Sequence, residues 1–331
     1  MLIVDAHLDL AYNAVRGREV HRGASVQTAA AGDGTPSVGL PDLVAGNVKL
    51  LCGTIFCEPA LGNSPGYKNA EEAAAQAQQQ LKWYYRQFAD GALELVTLRS
   101  QLSFDESASP PRAIILMEGA DPLQSADDVA EWFDAGLRIV GLAWKRTRLA
   151  GGTGDPGGLT EEGRTLVEAL DRYRIIHDAS HLAEQSFWEL LDRTTGPVMA
   201  SHSNCRAIVP TDRQLSDDMI REIARRGGVI GINFFDKFLI APNDTGRRAT
   251  LADVVAHVKH MCDLIGDATH VGLGTDMDGG FGAERIPQEI RTSADLPNVA
   301  DALQTGGFSE TDVKGILGQN WMRFFSQNLG E

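Results

Sequence analysis

Short apolar runs rich in Val, Ile and Leu recur along the chain, at residues 2–6, 49–56, 113–117, 137–143, 175–179, 198–201, 229–233 and 270–274. They are near-continuous rather than alternating, the pattern of parallel strands covered on both faces. Helical spacing fills most of the gaps. Residues 70–88 are rich in Ala and Gln and carry Leu81, Tyr84, Tyr85 and Phe88 at helical intervals. Residues 125–135, 160–173, 216–226, 250–265 and 309–325 complete the set. Thr160 and Ser216 stand as N-caps before acidic first turns, and Gly227-Gly228 ends the segment that Ser216 opens. Strand–helix alternation over eight units predicts a (β/α)8 TIM barrel. Long Gly-rich connections at 16–41, 146–158 and 279–297 are expected to build a pocket on the carboxyl side. With no internal repeat and no dividing linker, residues 1–331 read as a single barrel domain.

Five of the runs stop at a potential metal ligand. His7 and Asp9 follow the first, Glu118 the third, His181 and His202 the fifth and sixth, while Asp276 closes the eighth. One such residue after a strand means little. Their repetition at strand ends is what a metal-dependent barrel requires. Three imidazoles and three carboxylates suit Zn²⁺ or a similar borderline divalent ion. His7 and Asp9, two apart in a strand, are expected to point the same way and share one ion. His181 and His202 could hold a second. Glu118, with two oxygens, could bridge both. Two ions about 3.5–4 Å apart would activate one water between them. The other histidines lack this context: His257 and His260 are expected on a solvated helix face, His21 in a loop, and His177 and His270 in structural roles.

Composition narrows the partners. Hydrophobic residues make up 43% of the 331-residue chain, enough for a core, and no stretch approaches a membrane span. The formal net charge of −15 repels phosphate backbones, which argues against nucleic acid. The four cysteines form no Cys-x-x-Cys pair, and Cys52 and Cys57 sit in or beside an apolar run as small hydrophobes. A cytoplasmic setting is expected from the cysteine usage and the absence of a signal-like N-terminus.

Several segments together resemble the membrane (renal) dipeptidases, a family of amidohydrolase-like metal barrels. They are Asp5-Ala6-His7-Leu8-Asp9-Leu10, Met117-Glu118-Gly119-Ala120, Gly158-Leu159-Thr160-Glu161-Glu162-Gly163-Arg164, Asp178-Ala179-Ser180-His181, Ser201-His202-Ser203-Asn204-Cys205-Arg206-Ala207 and Gly272-Leu273-Gly274-Thr275-Asp276-Met277-Asp278-Gly279. Gly318-Gln319-Asn320-Trp321-Met322-Arg323-Phe324 resembles the closing helix. The resemblance implies a binuclear zinc dipeptidase with a metal-activated hydroxide as nucleophile. His7 and Asp9 would bind the first Zn²⁺, Glu118 would bridge, and His181 and His202 would bind the second. Asp276 would hold the hydroxide and pass its proton to the leaving amine. Arg213 would grip the substrate's carboxylate through a planar fork of donors. A homodimer is a further assembly the resemblance brings into view.

One position departs from the family. Better-known members carry Leu-Thr-His after the fourth strand, and here Trp144 occupies the histidine's place in Leu142-Ala143-Trp144-Lys145. An indole donates one N–H but carries no charge. Thr147 and Gln214 likewise stand where the family has asparagines. Trp144 is expected to line the substrate pocket and redirect specificity. Other small amides, N-acyl amino acids or a peptide to be tailored are therefore alternative substrates, and a ligand-binding barrel without turnover is a third reading. Lys145 offers a rival bridge as a carboxylated lysine, but Met117-Glu118-Gly119 matches the dipeptidase pattern.

Overall fold

The eight apolar runs become eight parallel strands: β1 (Ile3–Leu8), β2 (Val48–Phe56), β3 (Arg112–Glu118), β4 (Leu137–Gly141), β5 (Ile176–Asp178), β6 (Val198–Met199), β7 (Ile230–Ile232) and β8 (Val271–Leu273). The computed structural model describes residues 1–28, 34–60, 66–103, 110–244 and 246–331. Part of the predicted 16–41 connection, residues 29–33, lies outside them. The strands are ordered β7-β8-β1-β2-β3-β4-β5-β6, and a bridge between Ala200 and Ile230 joins the ends of the sheet into a barrel. Its last four strands are two or three residues long, shorter than the apolar runs that contain them. The residues that end those runs, Ala179, Asn233 and Gly274 among them, lie just beyond the regular strands.

Helices cover the outside: α1 (Ala70–Ala89), α2 (Asp128–Asp134), α3 (Glu161–Arg172), α4 (Glu184–Arg193), α5 (Asp217–Arg225), α6 (Leu251–Ile265) and α7 (Asn320–Asn328). Their starts have side-chain causes. Thr160 accepts the Gly163 amide at 3.1 Å and Ser216 the Met219 amide at 3.3 Å, each satisfying an otherwise unpaired first-turn donor. Thr250 and Asp253 form a reciprocal capping box on α6. α4 was absent from the expected set, since its leading Ala183 offers no side-chain cap; burial of Phe187, Leu190 and Leu191 holds it in place. Within the predicted 146–158 loop lies part of a two-stranded ribbon, Ala150–Gly152 against Asp155–Leu159.

Residues 309–325 are not one helix. A short helical segment, Glu310–Lys314, runs into a π-helical turn, Gly315–Gln319, before α7 begins. Gly318 in that turn lies against the start of β1: a Cβ there would come within 2.5 Å of the Leu2 side chain and 2.9 Å of its carbonyl oxygen, an approach that glycine allows. α7 then closes the amino-terminal end of the barrel. Trp321, Phe324 and Phe325 pack with Val4, Leu50, Ile114, Leu116, Ile139 and Met199 in one buried cluster. Ile114 and Leu116 alternate onto the same face of β3 as Glu118. The apolar plug thus lies beneath the polar mouth, and it leaves only the carboxyl end open for chemistry.

Candidate metal centre

Ligand-type side chains converge at that mouth. Glu118 is the last residue of β3, and its two oxygens face different partners. Oε2 is 3.6 Å from His7 Nε2, whereas Oε1 is 3.0 Å from His181 Nε2 and 3.4 Å from His202 Nε2. Asp9 Oδ2 lies 3.8 Å from His7 Nε2. In three overlapping trios (His7, Asp9 and Glu118; Glu118, His181 and His202; His7, His202 and Asp276) the donor atoms lie within 4.8 Å of one another. The His7 and His202 rings are 3.7 Å apart between centroids.

The local geometry differs from the expected strand ends. β1 stops at Leu8, so Asp9 is not a strand residue; it caps a short helix, Leu10–Val15, with φ −83° and ψ 43°. Its approach to His7 comes from this turn rather than from strand alternation. His181 lies three residues past β5 at φ 66°, and Asp276 three past β8 at φ 58°. Non-glycine residues held there cost roughly 1–3 kcal/mol each and persist where surrounding contacts fix them.

Those contacts are present. Asp178, at the end of β5, accepts the amides of Ser180 at 3.0 Å and Ser201 at 2.8 Å, together with the Ser201 hydroxyl. With its proton given to Asp178, Ser201 Oγ is an acceptor toward His202 Nδ1 at 2.7 Å and His7 Nδ1 at 3.3 Å. Thr153 Oγ1 meets His181 Nδ1 at 3.0 Å. Each imidazole is thus held through Nδ1 while Nε2 points to the centre, the arrangement a metal-binding histidine needs. Asp5 plays a similar structural part beneath them, accepting the Thr275 amide at 2.8 Å and its hydroxyl at 2.6 Å. This tie positions the turn that carries Asp276.

The fit to a cation shows in what is left unpaired. His7 Nε2, Asp9 Oδ1 and Glu118 Oε1 are buried and make no hydrogen bond. Burying such groups unpaired is costly, and a divalent ion would satisfy all three. Burial raises the Glu118 carboxyl and pushes Asp276 up to about 7, in both cases against the pull of His7. Burial also holds His181 and His202 well below the usual imidazole range, which keeps them neutral. Against its burial, the Glu118 and Asp9 carboxylates push His7 up to about 10. Neutral His181 and His202, with His7 set among crowded carboxylates that a divalent ion would relieve of its proton, form a fitting donor set for a zinc-like ion.

A cavity of about 320 Å³ opens above the ligands. Trp144 borders it, with its ring 5.3 Å from Phe56 and 6.2 Å from His181. Tyr12, Glu58, Phe235, Phe238 and Phe281 also line it. None of these five stood out in the sequence, because they are scattered over loops and no short-range spacing marks them. Asn233 was missed for the same reason; it donates to Asp276 Oδ2 at 2.9 Å.

Arg213 is buried beside the cavity rather than in its wall. It donates to Ser203 Oγ at 3.1 Å and to the His202 carbonyl at 2.6 Å, and its guanidinium lies 5.2 Å from the Phe238 ring centroid. Its Nε makes no hydrogen bond. Lys145 does not line the cavity; its Nζ lies 5.8 Å from the Trp144 ring centroid. Asp278, two residues beyond Asp276, is turned away and buried: it pairs with Arg18 at 2.6 Å and accepts the amides of Ser37 and Val38. His257 corrects the expectation of a solvated face. It is fully buried, accepting the Cys205 amide at 3.1 Å and lying 3.2 Å from the Leu239 carbonyl, because α6 packs that side inward. His260 is partly exposed and pairs with Asp217 at 2.8 Å.

The profile of the membrane dipeptidase family (peptidase family M19) matches residues 1–329. A dipeptidase from Claviceps purpurea is 32% identical over 215 residues, 62% of this chain; the aligned stretch spans 48% of that relative, about half its length. Among solved structures, dipeptidase AC, a metallopeptidase of the same family, aligns with TM-score 0.85 and 27% identity over 100% of this chain and 99% of its own. A metallopeptidase from Rhodobacter sphaeroides, liganded with a phosphinate mimic of the dipeptide L-Ala-D-Ala, aligns with TM-score 0.81 and 27% identity over 99% of both chains. With the family match running from the first strand to the last helix and including every candidate ligand, the chain belongs to the membrane dipeptidase family.

Proposed function

We propose that this chain holds two zinc ions among its buried ligands and cleaves dipeptides that carry a free carboxylate. Its family makes it a metal-dependent dipeptide hydrolase; the ion count, the metal and the residue roles are the further step. Glu118 carries the reading, because Oε2 faces His7 while Oε1 faces His181 and His202. A carboxylate turned both ways suits a bridge. His7 and Asp9 would hold one ion, and His181 and His202 the other. When bound, the ions supply Lewis acidity toward the scissile carbonyl and lower the pKa of water.

The remaining work falls to the chain. Asp276 takes a proton from the attacking water and returns it to the leaving nitrogen. Asn233 fixes one Asp276 oxygen at 2.9 Å and leaves the other for the transfer. Arg213 attracts the substrate's carboxylate: its Nε is unpaired, and each Nη group keeps a second N–H beyond the bonds it makes. The R. sphaeroides relative, with its L-Ala-D-Ala mimic, supports a substrate of dipeptide size and a D-residue at the carboxyl side. Trp144 and the aromatic walls favour a second reading, hydrolysis of N-acyl amino acids or another small amide.

The test is zinc content per chain together with a panel of dipeptides in both stereochemical series and matching N-acyl amino acids. Two zinc ions and turnover of free dipeptides are expected. Fewer than two ions, or no dipeptide cleaved, overturns the reading; turnover confined to N-acyl substrates establishes the second one.

A further inference from the structure

Four carboxylates border the cavity: Asp9, Glu58, Glu118 and Asp276. Three are committed to metal binding or proton transfer. Glu58 is not. It lies two residues beyond β2, half-buried at the mouth. Among the described residues no Lys, Arg or His comes within ion-pair distance of it. Its side chain is oriented by Tyr12, whose hydroxyl donates to Oε2 at 2.9 Å. Burial raises the Tyr12 phenol, with Glu58 adding to the rise against the pull of Arg16, so the hydroxyl stays a donor. A carboxylate held in place at an aromatic cavity wall, with no cation at ion-pair distance among the described residues, suits a cation that arrives with the substrate.

The barrel indicates which cation. β2 and β6 are four strands apart in a ring of eight, hence on opposite sides of the mouth. Glu58 follows β2, while Arg213 follows β6. A negative group in the cavity wall thus stands on the opposite side of the barrel from a positive one, buried beside the cavity and tied to the His202 carbonyl and Ser203. An unblocked dipeptide has the complementary pattern, with an ammonium at one end and a carboxylate at the other.

We propose that Glu58 is a specificity-determining residue that receives the substrate's free α-ammonium, with Tyr12 as its positioning residue. The assignment rests on the dipeptidase reading and adds to it that the pocket selects against blocked or missing amino termini. It would separate dipeptides from N-acyl amino acids, which match them at the carboxyl end but carry no charge at the other.

The experiment compares alanyl-alanine with propionyl-alanine, its counterpart lacking the amine, on the zinc-loaded wild-type chain and on Glu58→Gln. The wild type should prefer the free dipeptide. Glu58→Gln should raise KM for alanyl-alanine by about tenfold, the scale of one charge-assisted contact at a partly exposed site, with little change in kcat. Its preference over propionyl-alanine should collapse by the same factor. Tyr12→Phe should show the same KM split in smaller measure, which keeps the test decisive if Glu58→Gln folds poorly. A folded Glu58→Gln variant with its preference intact overturns the assignment. So does a loss confined to dipeptides that begin with lysine or arginine, which would give Glu58 to a side chain instead. A wild type that cleaves both compounds equally faults Glu58 alone, whereas one that cleaves neither, nor any dipeptide, faults the dipeptidase reading beneath it.

Discussion

Glu118 and His181 reach the same centre by different routes. β3 is seven residues long and pairs with β2 through seven consecutive partners, ending at Phe56 opposite Glu118. A ladder of backbone hydrogen bonds therefore positions that carboxylate. β5 has only three residues, and His181 hangs beyond it on a turn with left-handed backbone. Asp178 and Ser201 do for His181 and His202 what the ladder does for Glu118. A ligand on a strand inherits its position from the sheet, whereas one on a turn depends on polar buttresses a few residues away.

The largest effect should come from the ladder-borne ligand. Glu118→Ala removes the carboxylate whose two oxygens face both halves of the centre, so zinc content should fall to one ion or none and turnover to background. Lys145→Ala should keep both ions, and the reverse pair of results would move the bridge to Lys145. Asp276→Asn, on a turn, should keep the metals yet lower kcat by roughly 10²–10⁴, the scale of a lost proton-transfer group. Near-full activity in that variant with metal replete would remove Asp276 from the proton path.

Asp178→Asn probes the buttress itself. An amide cannot accept all three of the donors that Asp178 takes, and its own N–H would compete for Ser201 Oγ. Zinc affinity should drop by roughly 10–100-fold, with activity recovering at excess zinc. A titration showing unchanged affinity would mean that the turns hold themselves. Trp144→His should give the smallest change, a re-ranking of substrates by about tenfold or less in the dipeptide panel. An unchanged ranking with a lower melting temperature would make Trp144 a packing residue.

The same contrast explains what could be read from the chain beforehand. Apolar runs mark strands because burial on both faces leaves a continuous signature, and all eight were visible that way. Their ends were less legible, since Ala179 and Gly274 are as apolar or small beyond a strand as within one. Asp9 shows the limit: its proximity to His7 was expected from alternation, yet a helix cap provides it. His257 misled because two histidines on a helix look solvated until the neighbouring backbone at Cys205 is known to need an acceptor. The aromatic wall was invisible for a similar reason. Phe235, Phe238 and Phe281 come from the segments after two different strands, and only the pairing of β7 with β8 makes them neighbours.

The link between Arg18 and Asp278 spans 260 residues of sequence. Around it, β1 lies directly beside β8, and the Asp276 amide donates to the His7 carbonyl at 3.3 Å. The strand that carries His7 therefore waits for the one that precedes Asp276 before the mouth is complete. A growing chain carries His7 and Asp9 early but lacks Asp276 and a closed wall until β8 emerges. On the proposed reading, peptide cleavage is thereby withheld until β8 pairs with β1.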